Sequence, residues 1–251
     1  MTTNFTPWVF LMKILQKSAL ALCLFTAVAL PAFSAYAAEE AQPFTTAQQV
    51  DLTKILPPPP ANDSVQTKRE LQQVVDMQQK RTPEMAVQAK ADAEENVWVY
   101  SNVMGPKFNA QNLPTLSAFF ERIVATEAAV VDPAKDFWKR PRPHMLDSRI
   151  EPIVKRSTSG SWPSGHTTLG TLMGITLANM VPEKRAEIMT RAWQYGDNRV
   201  VAGIHYPSDI EMGRISGSVI SQQLSQQQDF QQQYQQARDE LRHSLDLPAG
   251  K

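Results

Sequence analysis

The chain has 251 residues, with 25 Lys and Arg against 25 Asp and Glu, so its formal net charge is zero. That balance excludes general affinity for nucleic acid or an anionic membrane surface, and any anion site must be a local concentration of cations. The one cysteine, Cys23, lies in an N-terminal segment expected to be removed, which would leave a chain without a thiol, a disulfide or a cysteine-based metal site.

Met12-Lys13-Ile14-Leu15-Gln16-Lys17 is a short basic stretch, residues 18–32 are almost wholly apolar, and Ala35-Tyr36-Ala37 has the small-x-small form of a cleavage site. The pattern predicts a signal peptide over 1–37, cut after Ala37, with Met12 as an alternative start, and a periplasmic or secreted protein. A membrane anchor is the competing reading; the cleavage site and the acidic Glu39-Glu40 favour removal. Removal takes Lys13 and Lys17, leaving 23 cationic and 25 anionic side chains. No other run is apolar and long enough to span a bilayer, so no stable membrane insertion is expected after cleavage.

Residues 38–62 read as an extended strap, because Pro57 to Pro60 cannot sit inside a helix. The domain proper is expected over 63–251. Asp63 or Ser64 caps a helix to about Lys80, with Leu71, Val74, Val75 and Met77 inward. Thr82-Pro83-Glu84 starts a second helix, running toward Tyr100. Ser101 to Leu113 is a loop, and Pro114 opens a helix that Asp132-Pro133 is expected to break. Residues 135–162 are irregular. Helix returns over 164–181 and from Pro182 to about Val201. Ser208 and Glu211 form a capping box for a last helix, whose Gln-rich tail reads as solvent-facing. No stretch has a convincing β period. The fold class expected is all-α: one domain, a bundle of six to eight helices.

Three segments concentrate groups suited to phosphate. Lys135 to Pro143 carries four cations, although a basic run alone is usually a solvated loop. Pro163-Ser164-Gly165-His166 is a turn opening a helix, where backbone N–H groups point outward as an anion site; alone, such a short string could be chance and His166 a surface residue. In the third segment Arg199 precedes His205 by six positions and Asp209 follows it by four. An Asp so placed can orient an imidazole through one ring nitrogen, but His205 alone could be a packed helix-end histidine.

Together the segments read K-x6-R-P, P-S-G-H and R-x5-H-x3-D, filled by Lys135, Arg142-Pro143, Pro163 to His166, Arg199, His205 and Asp209. This resembles the type-2 phosphatidic acid phosphatase / vanadium haloperoxidase superfamily. Within it the chain is similar to the bacterial class A non-specific acid phosphatases, over essentially all of 52–240. Asn198 stands where that pattern usually has Ser, and Trp162 where it commonly has Tyr. The resemblance implies an all-α bundle of that type, a homo-oligomer, and a phosphate monoesterase using no metal or other cofactor. It further implies that Lys135, Arg142, Ser164, Gly165 and Arg199 bind phosphate, that His205 is the nucleophile oriented by Asp209, and that His166 is the acid and base. Spacing does not settle which histidine does which. A haloperoxidase holding vanadate in the same cradle, a non-catalytic phosphate-binding protein and a lipid phosphatase are the alternatives. Chain length disfavours the first, two placed histidines the second, and the lack of spans or a basic amphipathic face the third.

Overall fold

A computed structural model describes residues 41–249; the expected signal peptide lies outside them. The described residues contain helices and no strand, so the chain is all-α. None of these helices is long and apolar enough to cross a membrane.

The helix α7 (Gly165–Met180) is the central element. Its composition is apolar or small on every side, and Leu169, Leu172, Met173, Leu177 and Met180 are fully buried. A helix apolar all round must be enclosed, and α7 is wrapped by α5 (Pro114–Trp138), α8 (Arg185–Val201) and α9 (Pro207–Leu224). Each enclosed leucine contributes about 1.5–3 kcal/mol relative to exposure. This core holds still the first turn of α7, where Pro163 to His166 sits. Ser164 is its N-cap, with Oγ accepting from Thr167 N at 3.3 Å; the Trp162–Pro163 bond before it is cis.

Four outer elements fix the ends of this bundle. α1 (Leu52–Ile55) is a single turn within the stretch expected to be a strap. α2 (Val65–Lys80) is capped by Ser64 and buries Val74 and Val75. α3 (Pro83–Ala91) packs on α8. α10 (Gln228–Ser244) turns Phe230, Ala237 and Leu241 inward against α5 and its glutamines outward. Two short turns, α4 (Ser101–Met104) and α6 (Pro143–Leu146), complete the set.

Several sequence expectations are corrected by long-range contacts. α5 runs through Pro133 to Trp138 rather than breaking there. A helical proline leaves the carbonyl four residues back without its donor; here Ala129 O accepts from Ala47 N at 3.2 Å, so the N-terminal segment satisfies it. The helix from Thr82 stops at Ala91, and Val97–Tyr100 is a separate 3-10 turn, because Asp92 is buried in an ion pair with Arg191. Residues 101–104, expected in a loop, form α4. The box expected from Ser208 and Glu211 is made instead by Asp209, whose Oδ2 accepts from Tyr206 N at 2.9 Å. The last helix is two, separated at Ser225 to Gln227. The second also caps a neighbour: Glu240 accepts from Thr115 N at 3.1 Å and Leu116 N at 2.8 Å, serving the uncapped start of α5.

Candidate active site

The three motif segments meet at one cavity of about 240 Å³, lined by Lys135, Arg142, Gly165, His166, Arg199 and His205, with Ala93, Glu95 and Ser159 among the other walls. Lys135 comes from the last turn of α5, Gly165 and His166 from the first turn of α7, and Arg199 from the last turn of α8. Gly203, at φ +76°, closes α8 and turns the chain back so that His205 enters beside Arg199. A left-handed residue there favours glycine.

His205 is 3% exposed and sits between two partners. Its Nδ1 lies 3.0 Å from Asp209 Oδ2 and its Nε2 lies 3.0 Å from Arg142 Nη1. Guanidinium can only donate, so Nε2 must present its lone pair and Nδ1 must carry the proton, which it gives to Asp209. Burial holds the imidazole well below its ordinary range, and Arg142, Arg199, His166 and Lys135 push the same way. The ring is therefore neutral, with its free electron pair facing the cavity cations. Asp209 does two jobs from one position: as the third residue of α9 its side chain points back along the helix, reaching both the Tyr206 N–H and His205. Burial pushes its carboxyl up, but Arg140 Nη1 at 2.7 Å, Tyr206 N and His205 Nδ1 all donate to it, which is the pattern of a carboxylate.

His166 is held differently. Its Nδ1 lies 2.9 Å from Glu95 Oε1, its Nε2 lies 3.1 Å from the carbonyl oxygen of Ala93, and its ring stacks on Tyr195. Oxygens face both ring nitrogens, so each nitrogen has an acceptor for a proton it carries. The Glu95 carboxyl is correspondingly held below its usual range, chiefly by that histidine.

The cations are unevenly balanced. Arg142 is buried and donates to Ser159 O, Ile204 O and Gly160 O, with no carboxylate among its partners. Burial pushes it down to about 10, so it remains charged. Arg199 donates to Asp92 O at 3.2 Å, and its buried Nε has no partner. Lys135 reaches Asp132, an exposed residue, at 3.0 Å. Ser164 is fully buried, caps α7 and stands behind the lining rather than in it. The remaining expected residues share the cavity or, for Asp209, touch one that does.

Sequence reasoning missed a supporting layer. Arg140, one of the four cations of the basic stretch, is buried against Glu70 Oε2 at 2.9 Å and Asp209 Oδ1 at 2.7 Å, and its guanidinium stacks 3.9 Å over Tyr206. Glu70 also accepts from Ser208 N and Oγ, which ties α2 to the start of α9. Asn198 donates to Asp92 at 2.7 Å, as does Arg191, so α8 grips the segment that delivers Ala93 and Glu95. Glu127 is buried on α5 beside Lys135. That acid interrupts the buried stripe of Ile123, Val130, Val131 and Ala134, a signal visible in the sequence.

The PAP2 superfamily profile matches residues 119–233, which contain every motif residue described above. The chain is 31% identical over 192 residues to a non-specific acid phosphatase of Salmonella typhimurium, covering 72% of this chain and 77% of that one. A non-specific acid phosphatase of Salmonella typhi is 30% identical over 188 residues, 71% of this chain and 75% of that one. An acid phosphatase of Zymomonas mobilis is 33% identical over 125 residues, 47% of each chain. With two buried guanidiniums that lack carboxylate partners and two histidines around one cavity, and with these relatives, the chain belongs to the PAP2 superfamily and is a phosphatase of its acid phosphatase group.

Proposed function

We propose that this phosphatase hydrolyses phosphate monoesters of broad range through a phosphohistidine at His205, without a metal. The observation that carries the reading is the uncompensated charge of Arg142 and Arg199 beside the lone pair of His205. Phosphoryl transfer depends mainly on positioning and on neutralising the equatorial oxygens. Arg142, Arg199 and Lys135 supply three cations for them, and the Gly165 N–H supplies a neutral donor at the start of α7, the turn that the buried Ser164 caps.

In this scheme the substrate phosphate draws the Arg142 donor away from Nε2, freeing the electron pair. Nε2 attacks phosphorus as the P–O ester bond breaks, and His166 gives its proton to the departing oxygen. Asp209 steadies the positive charge that grows on His205. His166, now neutral, takes a proton from water; the hydroxyl attacks phosphorus, the P–N bond breaks, and phosphate leaves. Each residue returns to its starting state. The cation-rich wall would repel a divalent ion, so activity on an aryl phosphate should survive chelator. The signal-like segment over 1–37 supports export; a mature N-terminus at Ala38 in the extracytoplasmic fraction is the expected finding.

A brief pulse of phosphoryl-labelled substrate, quenched and digested, tests the chemistry. Base-stable, acid-labile label on the peptide holding His205 is expected. Label on another residue, or activity lost to chelator and restored by a divalent metal, would overturn the mechanism.

A further inference from the structure

One buried group beside the cavity has no part in this chemistry. Glu127 lies on the inward face of α5, 5% exposed, and its Oε1 has no hydrogen-bond partner. It faces the phosphate end of the site. A Cβ placed on Gly165 would stand 2.7 Å from Glu127 Oε1 and 2.8 Å from Lys135 Nζ. The carboxyl, the ammonium and the first turn of α7 therefore meet over a single glycine. An unpartnered oxygen so deeply buried calls for an explanation.

We infer that Glu127 is a positioning residue which, acting through Lys135, makes oxyanion binding at the cavity take up a proton. This rests on the assignment of Lys135 and Gly165 to the phosphate site. While Glu127 is neutral, the only hydrogen-bonded carboxylate on Lys135 among the described residues is Asp132, which is 59% exposed and screened by solvent. Once ionised, Glu127 opposes the Lys135 charge and sets an anion directly behind the turn that would receive the phosphate.

The surroundings place this change near neutrality. Burial raises the Glu127 carboxyl to about 7; Lys135 lowers it, while Glu95 and Asp132 raise it. Lys135 and Asp132 stand on its own helix, Glu95 comes from the segment before Val97, and α7 presents Gly165. A bound dianion raises the carboxyl further, since like charges disfavour its ionisation. Binding in acid thus needs no proton at Glu127, and binding above neutrality takes one up. Oxyanion affinity should fall as pH rises past the value for the free protein.

Inhibition of aryl phosphate hydrolysis by inorganic sulfate provides the test, because sulfate stays a dianion across the range. At about pH 5, Glu127→Gln should bind sulfate within roughly threefold of wild type, since both carry a neutral side chain there. Above about pH 7, wild type should lose affinity relative to Glu127→Gln by about tenfold per pH unit, one proton's worth of linkage. Glu127→Asp, which keeps the acid, should restore the dependence. Parallel profiles for wild type and Glu127→Gln would overturn the inference while leaving the site intact. Failure of sulfate to compete at any pH would overturn the site reading and this inference with it. Calorimetry of sulfate binding in two buffers of different ionisation heat, on wild type and on His166→Asn, reads the proton directly. Uptake that persists without His166 supports Glu127, and zero uptake above neutrality overturns its role even if Glu127→Gln fails to fold.

Discussion

Arg140 and Arg142 stand two residues apart and are equally buried, yet their surroundings differ in kind. Arg140 is neutralised by Glu70 and Asp209, and Ser208 fills the remaining geometry. Arg142 has carbonyl oxygens and the electron pair of His205, but no carboxylate. The same contrast recurs on α8, where Arg191 is paired with Asp92 and Arg199 takes only the backbone oxygen of Asp92. Burial of a guanidinium is thus no mark of function by itself. The mark is a buried cation whose balancing anion has to come from outside the chain. Behind His205 lies a closed ion network that holds shape; in front of it lie cations without carboxylate partners, the proposed seat of an oxyanion.

The largest effect should come at the point where the two networks meet. His205→Ala removes the proposed nucleophile and should cut turnover by at least about 10⁴-fold in steady-state assays, as losses of a nucleophile or its partner do elsewhere. The arginines should then separate by type of damage. Arg140→Ala strands Glu70 and Asp209 and should lower the unfolding free energy by about 3–5 kcal/mol in denaturant titrations. Arg199→Ala strands no carboxylate; its stability should stay within about 1 kcal/mol of wild type, while kcat/KM falls on the order of 10²–10³-fold. Equal destabilisation by the two changes would break the comparison.

The acid side of the pH profile sharpens it further. Because burial and the surrounding cations depress His205, that ring stays neutral as pH falls through the ordinary histidine range. The acid limb of kcat/KM should therefore lie below about pH 6.5, the unperturbed value. Loss of activity already at that pH would show His205 to be charging normally. The smallest effect is expected at the half-exposed support of the other histidine: Glu95→Gln should cost about 1 kcal/mol, roughly fivefold in rate.

Much of this was readable in advance where the signal is local. Ser64 and Ser164 cap the helices that their positions predict, and the spacings from Lys135 to Asp209 gather seven of the eight expected residues at or against one cavity. What escaped depends on distant partners. Pro133 is tolerated because Ala47 supplies the donor that Ala129 O lacks. The helix from Pro83 stops because Asp92 is claimed by Arg191, ninety-nine positions later. Ser208 looks like a cap until Glu70 takes its N–H and hydroxyl. Nothing in Lys139-Arg140-Pro141-Arg142 says which arginine will be neutralised, since Glu70 lies on another helix. Glu127 is a different case: an acid within an apolar helical stripe could have been singled out from periodicity alone.

The central claim, that the cavity holds positive charge in need of an anion, is tested most directly by thermal unfolding with inorganic phosphate at about pH 5.5. At a hundred times its dissociation constant, phosphate should stabilise wild type by about 2.7 kcal/mol. Arg199→Ala, folded and of near-normal stability, should show almost none of that gain at the same concentration. A phosphate-induced rise as large in Arg199→Ala as in wild type, or no rise in either, would contradict the account.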